Sequence, residues 1–134
     1  MRKVQVMQVR VYYEDTDAAG VVYHSNYLKY CERARTEFLR ERGLSVAHLA
    51  EIGQIFPVVN MEIEFRAPAR HDDLLEIETS VLEVGQAKFK MRQIVINKES
   101  GKILIDLRVT LACVSKEMKP KRITEQIKQV LAIK

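Results

Sequence analysis

Residues 12–35 contain most of the side chains in this sequence that could do chemistry. The stretch reads YYEDTDAAGVVYHSNYLKYCERAR and includes three carboxylates, Glu14, Asp15 and Asp17, together with a glycine and a histidine. A carboxylate on a tight loop can attack an activated carbonyl carbon or activate water. Free backbone N–H groups at a helix start can stabilise the resulting oxyanion. The residue types and spacing of this stretch therefore suit acyl-transfer chemistry.

The acids of this stretch also have a plainer interpretation. Residues 15–20, DTDAAG, are typical of a turn in which acidic side chains cap backbone N–H groups, and Asp15 is predicted to be such a cap. A calcium loop requires an Asp or Asn at its fifth position and a glutamate at its twelfth. Here those positions are Ala19 and Asn26, so calcium is excluded. No group of ligands has zinc spacing either, and the sequence predicts neither a metal nor a cofactor.

His24 is the second candidate for catalysis. A lone histidine is usually just a satisfied polar group, but next to an acidic loop it could orient water or protonate a leaving group. The sequence has no GxSxG nucleophile elbow and no Cys–His nucleophile signature. Cys31 and Cys113 are the only two cysteines, and we expect them to be reduced thiols in the core of a cytoplasmic protein.

A strand and a helix must position these residues. From Val4 to Glu14 the sequence alternates, with Met7, Val9, Val11 and Tyr13 predicted on one face. Over residues 26–42 the apolar residues recur every three or four positions. We therefore predict a helix there, with Asn26 as its N-cap and Gly43 as its stop. Glu32 on this helix is most simply solvated or ion-paired, and the neighbouring tyrosines most simply pack in the core.

The rest of the sequence predicts a short helix, four strands and a last helix. The short helix covers residues 45–51, and the C-terminal helix covers roughly 123–132. The four alternating segments begin near Met61, Leu75, Phe89 and Ile103, and short connectors suggest that they are hairpin-linked and antiparallel. The predicted class is α+β, with one sheet and one long helix to cover it. Extra apolar surface and unpaired strand edges predict a homo-oligomer.

Composition limits the possible functions further. With 134 residues, 47% hydrophobic and 30% charged, the chain is predicted to be a single folded domain over residues 1–134. No apolar run approaches the roughly 20 residues of a membrane span, and the alternating N-terminus does not resemble a secretory signal. The net charge of +4 is spread along the chain, so nucleic acid is not predicted as a partner.

The stretch DTDAAGVVYHSNYLKYCERAR resembles the signature of hotdog-fold acyl-CoA thioesterases of the 4-hydroxybenzoyl-CoA thioesterase type. It is most similar to the branch associated with the Tol–Pal envelope system. The later stretches RAPARHDDLLEIET and EMKPKRI are also similar to that branch, so the resemblance covers the whole chain. It implies a five-stranded antiparallel sheet wrapped around a central helix, and a homodimer or homotetramer with sites at the subunit interface.

The resemblance also implies a site. The essential aspartate of the family falls on Asp17, and a histidine typical of this branch falls on His24. The backbone N–H groups near Tyr23 and His24 would polarise the substrate carbonyl. Gly20 would let substrate approach the backbone closely. Tyr23, the most plausible substrate contact among the tyrosines, and Asn26 would flank the site.

The resemblance is incomplete at the phosphates of coenzyme A. Some relatives hold them with an arginine-rich turn, but here that turn reads Val84-Gly85-Gln86-Ala87-Lys88, so only Lys88 could serve. His71 stands where an aromatic residue is common.

The predicted function is hydrolysis of an acyl-CoA thioester to a free acid and coenzyme A. A non-catalytic module that binds acyl-CoA or an acyl carrier protein is the alternative. A hotdog dehydratase is disfavoured, because its Gly-His-Pro segment is missing.

Overall fold

The computed structural model describes residues 4–132, so the two ends of the predicted domain lie outside the described residues. Within these residues the chain forms five strands and three α-helices. The strands are β1 (Val4–Arg10), β2 (Val58–Phe65), β3 (Leu74–Val84), β4 (Lys88–Asn97) and β5 (Ile103–Ala112). The helices are α1 (His24–Glu41), α2 (Val46–Glu51) and α3 (Glu125–Leu131).

All five strands form one antiparallel sheet in the order β1-β3-β4-β5-β2. The hairpins β3–β4 and β4–β5 agree with the prediction. The expected hairpin between β2 and β3 is wrong, because β2 pairs with β5 at one edge of the sheet while β3 pairs with β1. Four alternating segments in a row indicate strands, but they do not reveal which strand occupies an edge.

Helix α1 packs against one face of the sheet and forms the core with it. Apolar residues recur at three- and four-residue steps along its eighteen residues, so they share one side of the helix and can be buried against the sheet. Each fully buried large apolar side chain, such as Phe38, contributes roughly 2 kcal/mol to stability. The buried residues of α1 are Tyr27, Tyr30, Cys31, Ala34, Arg35, Phe38 and Leu39.

The helix begins two residues earlier than predicted, at His24, and the N-cap position belongs to Tyr23. The prediction of Asn26 as the N-cap is therefore wrong. The Asn26 side chain points back to the preceding loop, where its Nδ2 donates to the Asp15 carbonyl at 2.8 Å. The Tyr23 N–H also donates to the Asp15 carbonyl, at 2.9 Å. These two bonds end the extended loop at Tyr23, so the helix can start at the next residue.

Strand β1 ends at Arg10, four residues before the predicted end. Val11 is fully buried, but the chain then turns into a single 3₁₀ turn over Tyr13–Asp15. The turn forms because the Asp15 carboxylate accepts a hydrogen bond from the Tyr12 N–H at 2.9 Å. As a consequence the Tyr13 side chain is 79% exposed, and its predicted place on the apolar face of the strand is wrong.

A polar network is buried between α1 and the sheet. Arg35 donates from Nη1 to Gln93 Oε1 at 3.0 Å, and Gln93 Nε2 donates to Thr79 Oγ1 and to the Cys31 carbonyl. Gln93 is 0% exposed and Arg35 is 8% exposed. Burial lowers the pKa of Arg35 from its ordinary value. The network therefore fixes the helix on the sheet through groups that have little access to water.

Within residues 4–132, no helix combines the length and the apolar character that crossing a bilayer requires.

Candidate active site

The loop between β1 and α1 folds into a small hairpin that presents Asp17. Thr16 pairs with Val22, and the Asp17 N–H donates to the Val21 carbonyl at 2.9 Å. The tip closes through the Gly20 N–H, which donates to the Asp17 carbonyl at 3.0 Å. Gly20 has a φ of +80°, a left-handed conformation that glycine adopts without steric cost. The tight loop predicted from the sequence is therefore present.

Asp17 lies at the exposed tip of this hairpin. One carboxylate oxygen, Oδ1, accepts a hydrogen bond from the Ala19 N–H at 2.8 Å, which is the local turn predicted as the plainer interpretation. Within residues 4–132 the other oxygen has no hydrogen-bond donor. Because one oxygen is fixed and the other is available, the carboxylate is oriented and still able to reach a substrate or water.

The N-terminus of α1 offers unused hydrogen-bond donors beside this loop. Tyr23 places no side-chain cap on the helix. The N–H groups of His24 and Ser25 have no acceptor in the part of the chain that the structure describes. Aligned peptide dipoles give such a helix start about half a unit of positive charge. An oxygen that becomes negative during a reaction would be stabilised here.

His24 borders a pocket of about 290 Å³ at this helix start. The Tyr23 ring lies against the His24 ring, with centroids 4.4 Å apart. The other side of the pocket is the C-terminal end of β2, where Phe65 contacts Tyr27 with centroids 6.1 Å apart. The pocket is lined by Val22, His24, Tyr27, Phe65, Arg66, Ala67 and Pro68.

Asp15 and Asn26 hold the loop in place. Asp15 caps Tyr12 with its side chain, as predicted, and its carbonyl receives two donors from the helix start. Since the Asn26 amide is engaged inside the protein, its geometry suits positioning of the loop that carries Asp17. A direct contact between Asn26 and substrate stays a prediction.

Lys88 lies far from Asp17 and His24 in the same protomer. Along β5, Lys88 is opposite Ala112, whereas Phe65 at the pocket is opposite Ile105. These two positions are seven residues apart, which corresponds to about 23 Å of strand. The structure thus places Asp17 and Gly20 on the hairpin that leads into α1 and Tyr23 and His24 in contact at the helix start, but it leaves Lys88 at the other end of the sheet. A phosphate contact by Lys88 stays a prediction.

The other nucleophile and ligand candidates do not form a site. Cys31 and Cys113 are both buried and unpaired. Burial raises the pKa of the Cys31 thiol to about 12, so it stays protonated and unreactive near neutral pH. No cluster of His, Cys, Asp and Glu within residues 4–132 could hold a metal ion. Glu32 is exposed on α1 and lies on the border of a different cavity.

Sequence reasoning missed Phe65 and Arg66 as pocket residues. Their alternating pattern indicates a strand, but only the edge position of β2 shows that Phe65 is 53% exposed. It also missed the second cavity, of about 220 Å³, which lies between α1, α2 and the Val58 end of β2. Its walls are mainly apolar and come from segments distant in sequence, including Leu49, Phe56 and Met91. No local pattern could have revealed it.

Comparison with known proteins gives consistent matches. The thioesterase superfamily model matches residues 19–104. The acyl-CoA thioesterase YbgC of Haemophilus influenzae is 43% identical over 122 residues, which cover 90% of this chain and 88% of that protein. The acyl-CoA thioester hydrolase YbgC of Escherichia coli O6:H1 is 42% identical over 120 residues, 89% of each chain.

Solved structures agree with these sequence matches. The crystal structure of a probable thioesterase from Bartonella henselae is 40% identical, with a TM-score of 0.85, over 90% of this chain and 99% of that one. Together with the sheet and helices described above, these matches confirm the predicted resemblance and the hotdog fold.

Proposed function

The chain belongs to the thioesterase superfamily, and from this premise we propose that it hydrolyses acyl-CoA thioesters to a free carboxylic acid and coenzyme A. One observation carries the proposal beyond family membership. An oriented, exposed carboxylate stands on a hairpin that leads directly into a helix start with two unused N–H groups. Thioesters are activated acyl donors, so a carboxylate suffices where no serine or cysteine nucleophile is present.

In the proposed reaction the thioester carbonyl oxygen accepts hydrogen bonds from the N–H groups of His24 and Ser25. Negative charge grows on this oxygen as the carbonyl carbon is attacked, and the helix start stabilises it. Asp17 attacks the carbon directly, giving an anhydride that water then hydrolyses, or it takes a proton from an attacking water. Both routes consume one water and yield the acid and the free thiol.

The test of this proposal is thiol release. The purified protein is mixed with acyl-CoAs of short, long and aromatic acyl groups and with one acyl carrier protein thioester, in the presence of a thiol-reactive dye. We expect release over many turnovers with at least one acyl-CoA. Tight binding without release would instead support the non-catalytic binding module. The comparison of donors also tests acyl carrier protein as a partner, for which the net positive charge is the supporting feature.

His24 has an auxiliary part in this scheme, since it borders the pocket but is not required to form the nucleophile. We expect His24→Ala to lower kcat by about tenfold at unchanged KM, because it removes an orienting or proton-donating group and keeps the backbone N–H. Steady-state kinetics on the best acyl-CoA would measure this. Activity equal to wild type, or a loss as large as that of an Asp17 variant, would contradict the assignment.

We also propose that the protein acts as a homodimer through β2. This strand is an edge of the sheet, and Val58, Val59 and Phe65 on it are exposed. Such an edge is a template for pairing with a second chain. A two-fold axis at the middle of β2 would pair it antiparallel with its copy. The Val58 end of one protomer, with the apolar cavity and Lys88 nearby, would then meet the pocket end of the other.

The dimer is tested by Val59→Lys. Val59 is 52% exposed in the protomer, so the lysine is tolerated by the isolated fold, but it places a charge in the proposed strand pair. We expect sedimentation to show monomers and thiol release to fall at least tenfold. The control is Leu82→Lys, at a comparably exposed position on β3 away from this edge. Dimers that persist in Val59→Lys would contradict this interface.

A cytoplasmic location is part of the proposal, and it is supported by the two unpaired cysteines.

A further inference from the structure

Two exposed aromatic rings lie together next to the hairpin that carries Asp17, and neither has a part in the proposed hydrolysis reaction. Tyr13, in the 3₁₀ turn, and His71, in the connection from β2 to β3, have ring centroids 5.8 Å apart at an interplanar angle of 54°. Both side chains are exposed. Exposed Arg70 precedes His71 in the chain. We call Tyr13, Arg70 and His71 the aromatic platform.

The backbone beneath the platform is fixed by hydrogen bonds. Val21 of the catalytic hairpin forms a bridge with Arg70, and the Val22 N–H donates to the Ala69 carbonyl at 2.8 Å. The Asp72 N–H donates to the Val11 carbonyl at 2.9 Å, and Asp72 has a positive φ of 71°. The segment that leads from Val11 to Tyr13 and the connection that contains His71 are therefore joined to each other, and the connection is also joined to the hairpin that carries Asp17. Their rings are presented at defined positions, so little order has to be gained on binding.

Arg70 supplies the platform with a cation. The Arg70 guanidinium forms no ion pair or hydrogen bond within residues 4–132, although its backbone N–H donates to Asp73 Oδ2 at 2.9 Å. Carboxylates do lie close, since Glu14, Asp72 and Asp73 flank the platform in sequence. An exposed aromatic ring and an available guanidinium in the same connection suit a ligand that joins a flat ring to phosphate groups.

We propose that the aromatic platform binds the nucleotide end of coenzyme A, with the adenine ring stacked on Tyr13 at the side where His71 lies, and a phosphate group on Arg70. This inference rests on the proposed function, because the nucleotide belongs to the same acyl-CoA substrate whose thioester is placed beside Asp17 and the helix start. Lys88, the predicted phosphate contact, is about 23 Å along the sheet from the pocket in the same protomer and could reach it only from the partner copy of the proposed dimer. The platform is bonded directly to the hairpin that carries Asp17 in the same protomer.

The platform also lies close to the helix start along the chain. The connection after Arg10 leads to Tyr13 in the 3₁₀ turn, and the hairpin that carries Asp17 follows it. His71 follows Arg70, which faces Val21 across a bridge of about 5 Å between Cα atoms. A folded-back coenzyme A can therefore reach the platform from the helix start.

The test compares an acyl-CoA with the acyl-pantetheine of the same acyl group, which lacks the nucleotide. Stacking of a base on an aromatic side chain contributes about 1–3 kcal/mol to binding. We therefore expect Tyr13→Ala to raise KM for the acyl-CoA about tenfold. KM for the acyl-pantetheine should stay within twofold of wild type. Inhibition by adenosine 3′,5′-bisphosphate, competitive with the acyl-CoA, should weaken about tenfold in the same variant. Tyr12→Ala is the matched control, since Tyr12 is the neighbouring exposed tyrosine and has no ring contact among the described residues 4–132.

The outcomes separate this inference from the proposed function. A Tyr13→Ala protein that loses activity equally on both thioesters, or on neither, overturns the platform. A wild-type protein that hydrolyses neither thioester overturns the proposed function. In that case calorimetry with adenosine 3′,5′-bisphosphate on wild type and Tyr13→Ala still decides the platform, because weaker binding in the variant supports it and equal or absent binding overturns it.

Discussion

We expect Asp17→Asn to lower kcat for acyl-CoA hydrolysis by about a thousandfold and to leave the fold intact. The carboxylate is the attacking group or the base for water in the proposed reaction, and an amide does neither. The fold is kept because the asparagine side-chain oxygen can still accept the hydrogen bond from the Ala19 N–H. The thiol-release assay measures kcat, and circular dichroism with thermal unfolding checks the fold.

The control for this variant is Glu14→Gln. Glu14 is an exposed acid three residues away on the same loop, and within residues 4–132 its side chain makes no hydrogen bond or ion pair. Glu14→Gln removes the same charge from the same region as Asp17→Asn does, so a general effect of loop charge would appear in both variants. We expect Glu14→Gln to retain activity within threefold. Near-normal hydrolysis by a folded Asp17→Asn protein would refute the catalytic assignment.

Gln93→Leu is expected to destabilise the protein by about 3 kcal/mol. The substitution removes the acceptor of the buried Arg35 guanidinium and the donor to Thr79, and it leaves a charged group unsatisfied away from water. Chemical denaturation would measure the change in the free energy of unfolding. Gln129→Leu, an exposed glutamine on α3, is the control and should change stability by less than about 0.5 kcal/mol.

A double variant identifies the cause of the Gln93 effect. If the unsatisfied charge is responsible, Arg35→Met combined with Gln93→Leu should recover much of the lost stability, because both polar partners are then replaced by apolar groups. A loss below about 1 kcal/mol in Gln93→Leu would show that the network contributes little. Equal losses in the single and double variants would instead point to packing.

Much of the fold could be predicted because its signals are local. Alternation identified five strands, and the spacing of apolar residues identified α1 to within two residues at its start. Ser45 and Thr124 cap α2 and α3 through their side chains, as residues of their type commonly do. Asp15 was correctly predicted as a cap for the same reason.

The rest depended on contacts between segments distant in sequence. The edge position of β2 is set by its pairing with β5, about forty residues later, so its hairpin with β3 was wrongly expected. The start of α1 is set by hydrogen bonds from Tyr23 and Asn26 to Asp15, which a preference of asparagine for N-caps does not reveal. Tyr13 continued an alternating pattern, but the turn capped by Asp15 moved it to the surface.

The most direct test of the proposed mechanism is a crystal structure of the Asp17→Asn protein with an intact acyl-CoA. We predict that the thioester carbon lies within about 3.5 Å of the side chain at position 17. Its carbonyl oxygen should lie about 3 Å from the backbone nitrogen of His24 or Ser25. A thioester bound elsewhere, for example beside Glu32 with its carbonyl far from the start of α1, would contradict the proposed mechanism.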